Sequence, residues 1–175
     1  MAEIISYIAS GISIVLGLCE PFGKTMKSVL IFNFLGNLLV GLSYLLVNTL
    51  NGAAICAVAC VQVVINYIFD MKRKKAPNWL IAIYALAFLA VNLLSFACWY
   101  DVIALAAAMC FVLSVAQPDP KYYRLFFITN SSLWIIYDAL AKAHGNLITH
   151  TALFIATFIA ICVRDEKKKS ERNNG

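Results

Sequence analysis

The stretch PFGKTMKSVLIFN, residues 21–33, returns as PDPKYYRLFFITN, residues 118–130. Pro21, Lys24, Lys27 and Asn33 keep their spacing as Pro118, Lys121, Arg124 and Asn130, an offset of 97, and Val15-Leu16 falls on Val112-Leu113 at the same offset. From residue 4 to residue 36 there are 7 identities in 33 positions. After a shortening of two residues, Asn51 falls on Asn146, Asp70 on Asp165 and Lys72 on Lys167, at an offset of 95. Self-similarity sustained over half a chain predicts two copies of one supersecondary unit.

The composition says what the unit is built from. Of 175 residues 62% are hydrophobic and 13% charged, with a mean hydropathy of +0.82, and the charges sit in short clusters between uncharged apolar runs. A water-soluble domain would spread its charge along the chain, so the reading is an all-α polytopic membrane protein. No polar stretch is long enough to fold outside lipid, which excludes a nucleic-acid-binding domain and an enzyme with a soluble catalytic domain. The six cysteines, at 19, 56, 60, 98, 110 and 162, form no Cys-x-x-Cys, and five lie within apolar runs. They read as small packing residues, supporting neither a disulfide framework nor a thiolate metal site. Met1-Ala2-Glu3 lacks a basic n-region, so the first run is expected to be a retained helix.

Seven apolar runs are bounded by charge, Pro, Gly or Asn: Ile4–Leu18, Ser28–Val47, Gly52–Phe69, Trp79–Tyr100, Val102–Ala116, Leu125–Leu140 and Leu147–Val163. The first and fifth rise roughly 22 Å, short of a hydrocarbon core of about 30 Å, and are expected to extend into their flanks or to be mismatched. Fusing the fourth and fifth, separated by little more than Asp101, would give six helices. The basic residues decide for seven. Lys24, Lys27, the block 72–75, Lys121, Arg124 and the C-terminal Arg164, Lys167 to Lys169 and Arg172 then share one side, leaving only Lys142 of 14 on the other. By the positive-inside rule the N-terminus lies outside and the C-terminus in the cytoplasm, with Trp79 and Trp99 as interfacial anchors of the fourth helix. The basic block and tail also suit anionic lipid headgroups.

Repeat and topology together give three helices in residues 1–75, a linker helix in 76–100, three helices in 101–169 and a tail in 170–175. One interposed helix leaves both halves in the same orientation, a parallel repeat about the membrane normal. The arrangement resembles the SWEET and PQ-loop transporters, and more closely the YgjV-type bacterial inner-membrane family. The closer resemblance is carried by Lys24 through Lys27 leading into a polar second helix, the turn from Tyr44 to Gly52, the Lys72-Arg73-Lys74-Lys75 block, Pro120 to Leu125 and Leu133-Trp134-Ile135-Ile136-Tyr137. It implies the fold and topology; the SWEET-like comparison implies transport. All four prolines, at 21, 77, 118 and 120, lie in connections, so helix-interior proline hinges of the SWEET kind are missing, and Gly36 and Gly41 are the candidate hinges or close-approach points.

Polar side chains within the runs mark the candidate site, because they are costly in lipid unless they meet a partner or a cavity. Asn33, Asn37 and Tyr44 form one stripe of the second helix, and Asn130, Trp134 and Tyr137, with Asp138 beside it, the matching stripe of the sixth. The third helix adds Gln62 and Asn66, the seventh His150 and Thr157. A single amide reads best as glue between helices, whereas the set, recurring at repeat-equivalent depths, reads as the lining of one midplane cavity for a small, uncharged or weakly charged solute. Asp138 with His150 offers a cation or proton site; against it stands a carboxylate hydrated at the interface beside Lys142, the favoured reading of Asp138. His144, His150 and Asp138 do not make a recognised metal pattern, and no cofactor is expected. Ser6, Ser10, Ser13 and Gly17, matched by Ala107, Cys110 and Ser114, read as a packing face without a substrate role.

The expected partners are the bilayer and a small solute carried by alternating access. A non-transporting membrane sensor or assembly protein is the alternative. An enzyme is disfavoured, since no nucleophile has an adjacent base, and so is a retinal receptor, since no lysine lies within a helix core. Reporter fusions at both ends test the topology: opposite sides are expected, and termini on the same side would remove both the seven-helix arrangement and the parallel repeat.

Overall fold

The computed structural model describes residues 2–74 and 77–165. They form seven α-helices: α1 (Ala2–Cys19), α2 (Met26–Leu46), α3 (Leu50–Met71), α4 (Asn78–Leu94), α5 (Asp101–Val115), α6 (Pro120–Leu140) and α7 (His144–Ala160), the last continued by a π-turn at Ile161–Asp165. Lys75, Lys167 to Lys169, Arg172 and the 170–175 tail lie outside the described residues. The largest differences from the sequence reading are at two boundaries. α4 stops at Leu94 instead of Tyr100, which puts Trp99 in the following turn, and α6 begins at Pro120, five residues before Leu125.

Local chemistry explains both. Asp101 is buried at the start of α5, and its Oδ2 accepts from the backbone N–H groups of Ala97 (2.8 Å) and Cys98 (2.9 Å), so the carboxylate that separates the two apolar runs builds the turn between them. Asn92 Nδ2 donates to the Asp101 carbonyl at 2.9 Å and closes the same turn. At α6, Asp119 caps by accepting from Lys121 N at 2.9 Å, with Pro120 in the first turn, where a missing N–H costs nothing. Thr25 caps α2 through Ser28 N at 3.3 Å.

The helices pack in a closed sequence of neighbours: α1 on α2, α2 on α3, α3 on α5, α5 on α6, α6 on α7 and α7 back on α1, while α4 packs on α3 and α5. The interior takes the polar faces. Ser6, Ser10 and Ser13 of α1, Asn33 and Ser43 of α2, Gln62 and Asn66 of α3 and Asn130, Ser131 and Asp138 of α6 are buried, whereas Leu38, Leu42, Leu86, Leu93, Ile148 and Phe158 face outward. In water that arrangement would be inverted; against hydrocarbon it is the stable one. Met26–Leu46, Leu50–Met71 and His144–Val163 are long and apolar enough to cross a membrane.

The serine stripe of α1 is a packing face with polar rungs. Ser6 Oγ lies 2.7 Å from Ser43 Oγ, and Ser10 Oγ donates to Asn146 Oδ1 at 3.1 Å. Gly17 lies under Leu153, whose Cδ2 would be 2.4 Å from an added Cβ, and Gly41 lies over Cys56 at 3.0 Å. Gly52 lies against the ring of Tyr44, at 2.9 to 3.0 Å from an added Cβ, while nothing comes within 4 Å at Gly36. Gly52→Ala should therefore melt several degrees lower in detergent, consistent with an overpacking cost of about 1–3 kcal/mol, because the Tyr44 ring is locked in place. Gly36→Ala should melt at or above the parent, since alanine is the better helix former.

Candidate functional site

A cavity of about 50 Å³ lies at the centre of the bundle, and every helix contributes to its wall. α2 supplies Asn33, Gly36 and Asn37, α6 supplies Phe127, Asn130 and Trp134, and α7 supplies Thr149, His150 and Leu153. Ser13 and Gly17 come from α1, Cys56 and Ala59 from α3, Phe88 from α4 and Phe111 from α5, with Glu20 from the turn after α1. The space suits a few water molecules, well below the several hundred Å³ typical of a drug-sized ligand site, so the bundle is contracted around it.

Of the residues singled out from the sequence, the structure brings Asn33, Asn37, Asn130, Trp134 and His150 to this wall. Tyr44 and Asp138 stand behind it: Tyr44 OH donates to Asp138 Oδ1 at 2.5 Å, and His150 Nδ1 lies 2.6 Å from Asp138 Oδ2. Trp134 stacks on the His150 ring, centroids 5.5 Å apart, and packs edge-on against Tyr137 at 5.3 Å. Gln62, Asn66 and Thr157 do not line the cavity. Thr157 Oγ1 donates to Leu153 O of its own helix, Tyr84 OH donates to Asn66 Oδ1 at 3.4 Å, and neither end of the buried Gln62 amide has a partner among the described residues. Four polar stripes thus do not converge; two do, and α7 adds His150.

Asp138 corrects the sequence reading. It is 0% exposed instead of hydrated at the interface, and its partners come from α2 and α7. The expected i,i+4 pairing with Lys142 fails because α6 ends at Leu140 and Lys142 lies past the end, at φ 56°, in the turn. Two carboxylates buried together with their partners need every hydrogen bond they can find, and both here find a tyrosine.

The second carboxylate is Glu20, which the sequence reading did not single out. It is 2% exposed, and its Oε1 accepts from Tyr123 OH of α6 and from Asn33 Nδ2 of α2 at 2.9 Å. Asn33 Nδ2 also lies 3.1 Å from Tyr123 OH, and Asn37 Nδ2 donates to Asn33 Oδ1 at 2.9 Å, fixing that amide from one turn on. Glu20 follows the last residue of α1, outside the helix, and burial pushes its carboxyl up to about 7 against the lowering effect of the bonds from Tyr123 and Asn33. The signal available in sequence was its position: an acid adjoining the proline corner, at the end of an apolar run.

The cavity is therefore bridged at both ends between α2 and α6. Asn33 and Glu20 meet Tyr123 at the end carrying the α1–α2 and α5–α6 turns; Tyr44 meets Asp138 at the other. Among the described residues no group of three metal-ligating side chains is present.

An all-helical bundle with a polar interior and an apolar exterior defines an integral membrane protein. The chain belongs to the Imp-YgjV family of bacterial inner membrane proteins, whose profile matches residues 1–169. No curated protein and no solved structure gives a match.

The two buried amides separate bonded from unbonded roles. Asn33→Leu takes a donor from Glu20 and Tyr123 and should cost about 1–3 kcal/mol, read as a lower melting temperature in detergent. Gln62→Leu removes an amide that bonds nothing and should leave the melting temperature unchanged or raise it.

Proposed function

We propose that the chain carries small solutes across the bacterial inner membrane, working by alternating access between two three-helix halves, residues 1–75 and 101–169, joined by the helix of 76–100. Seven spans with the N-terminus outside and the C-terminus in the cytoplasm complete the reading. The observation that carries it is the central cavity, to which all seven helices contribute, with bonds between α2 and α6 at each end. A carrier needs that geometry: a polar site near the middle and two separable contacts, one on either side of it.

The neighbour pattern supports the two halves. α1 on α2, α2 on α3 and α3 on α5 have as counterparts α5 on α6, α6 on α7 and α7 on α1, which is the relation a two-fold axis along the bundle would impose, with α4 outside the ring. The wall chemistry supports a small polar solute, since Asn33, Asn37 and Asn130 supply amides and Phe111, Phe127 and Trp134 apolar faces. Asn130 Nδ2 is already committed to Ala107 O at 2.8 Å, which fixes its orientation.

Thermal melts of the purified protein against a panel of small polar solutes, followed by uptake into proteoliposomes, test the reading. A solute that binds only the native state contributes about 2.7 kcal/mol at a hundredfold excess over Kd, a shift of several degrees. The shift and the uptake should both vanish in Asn37→Leu. No stabilisation and no uptake across the panel would leave the amides as structural glue and end the carrier reading.

A further inference from the structure

We propose that Glu20 is the group through which a proton gradient drives this carrier, protonated while the cavity is shut at the α1–α2 end and ionised when that end opens to water. The proposal rests on the carrier reading above and names the coupling ion of the same site.

The geometry joins charge and closure in one residue. Glu20 lines the cavity, and a single oxygen, Oε1, receives both Tyr123 OH and Asn33 Nδ2. That leaves Oε2 to carry the proton of a neutral acid, with Oε1 as the carbonyl acceptor of both bonds. Tyr123 belongs to α6 and Asn33 to α2, so the bonds to Glu20 hold the two halves together. Separating them wets the carboxyl, and a wetted carboxyl passes its proton from Oε2 to solvent water.

The surrounding charges do not ionise it in place. No lysine or arginine is among the residues that line the cavity. From α6 the facing titratable group is Tyr123, and the Nη1 of neighbouring Arg124 is turned to the Pro21 carbonyl at 3.3 Å. On the α2 side Asn33 is neutral, while Lys24 and Lys27 are exposed. From α7 His150 lines the same cavity but is held by Asp138; from α3 Cys56 lines it as a buried thiol; α4 and α5 present Phe88, Ala108 and Phe111. Burial therefore sets the sign. The closed form holds its proton up to about 7 against an ordinary value of 4.5, so ionising Glu20 disfavours the closed form on the order of a hundredfold. A rise in pH opens this end, and a fall closes it.

Cys56 provides the readout, because it is buried in the same cavity wall. The full-length protein in detergent is treated with a small charged methanethiosulfonate, and modification of Cys56 is followed by peptide mass spectrometry, with partly exposed Cys98 as reference. Comparison at fixed pH cancels the pH dependence of thiolate formation. At pH 8 Glu20→Gln, permanently neutral, should react at Cys56 on the order of a hundredfold more slowly than the parent, and the gap should narrow to about tenfold at pH 5.5, where a carboxyl wetted by opening still ionises. Tyr123→Phe keeps the carboxyl but loses the bond between halves, and should react faster than the parent at pH 5.5. Equal rates for parent and Glu20→Gln at pH 8, or a Tyr123→Phe rate no higher than the parent's at pH 5.5, would overturn the proposal; the second decides if Glu20→Gln does not fold. The labelling needs no solute. Solute uptake with a Cys56 rate indifferent to Glu20 would remove the proton and leave the carrier, whereas a Glu20-dependent rate with no solute ever transported would do the reverse.

Discussion

A carboxylate enclosed in a membrane bundle is the most demanding group a helix can bring inside, because neither lipid nor packed side chains hydrate it. Glu20 and Asp138 are both so enclosed, and each is met by a tyrosine from the other half of the chain. Much else follows from satisfying them. Tyr44 must stand upright beside α3, which Gly52 permits; Asn37 must hold Asn33; His150 must face α6, where it also stacks on Trp134. The cavity lies between these commitments, which orient Asn33, Asn37 and His150 on its wall.

The same commitments bear on the proposed division of the bundle. Small residues make close approaches both within the proposed halves, as where Gly41 meets Cys56, and between them, as where Gly17 lies under Leu153, and such contacts are rigid. Beside them, Tyr123 donates to Glu20 and Tyr44 to Asp138, hydrogen bonds to ionisable groups whose strength changes with protonation. On the proposed carrier reading, bonds of that kind suit the release of one end while the other is held, whereas interdigitated apolar packing does not.

The helices were legible because apolar runs and charge clusters are local properties. Their number was decided by the side on which the basic residues fall, and Asp101, the slender separator of the fourth and fifth runs, is the turn's own hydrogen-bond acceptor. Half of the candidate site was legible too: Asn33, Asn37, Asn130 and Trp134 share stripes with helical spacing, and stripes of that kind on two helices find each other. What was hidden depended on partners distant in sequence. Nothing near Asp138 announces His150 or Tyr44, and nothing near Glu20 announces Tyr123, 103 residues away. Gln62 and Thr157 misled for the opposite reason: a polar residue on a buried face does not say whether it meets a cavity, its own backbone or nothing.

The central claim is that the two ends of one cavity separate in alternation. It is tested most directly by spin-label distances measured at both ends of the same purified protein, one pair at exposed Lys24 and Lys121, the other at exposed Asn48 and Lys142. Raising the pH from 5.5 to 8 should lengthen the Lys24 to Lys121 distance while the Asn48 to Lys142 distance shortens or holds. Two distances that lengthen together, or that stay fixed across the range, would contradict the account.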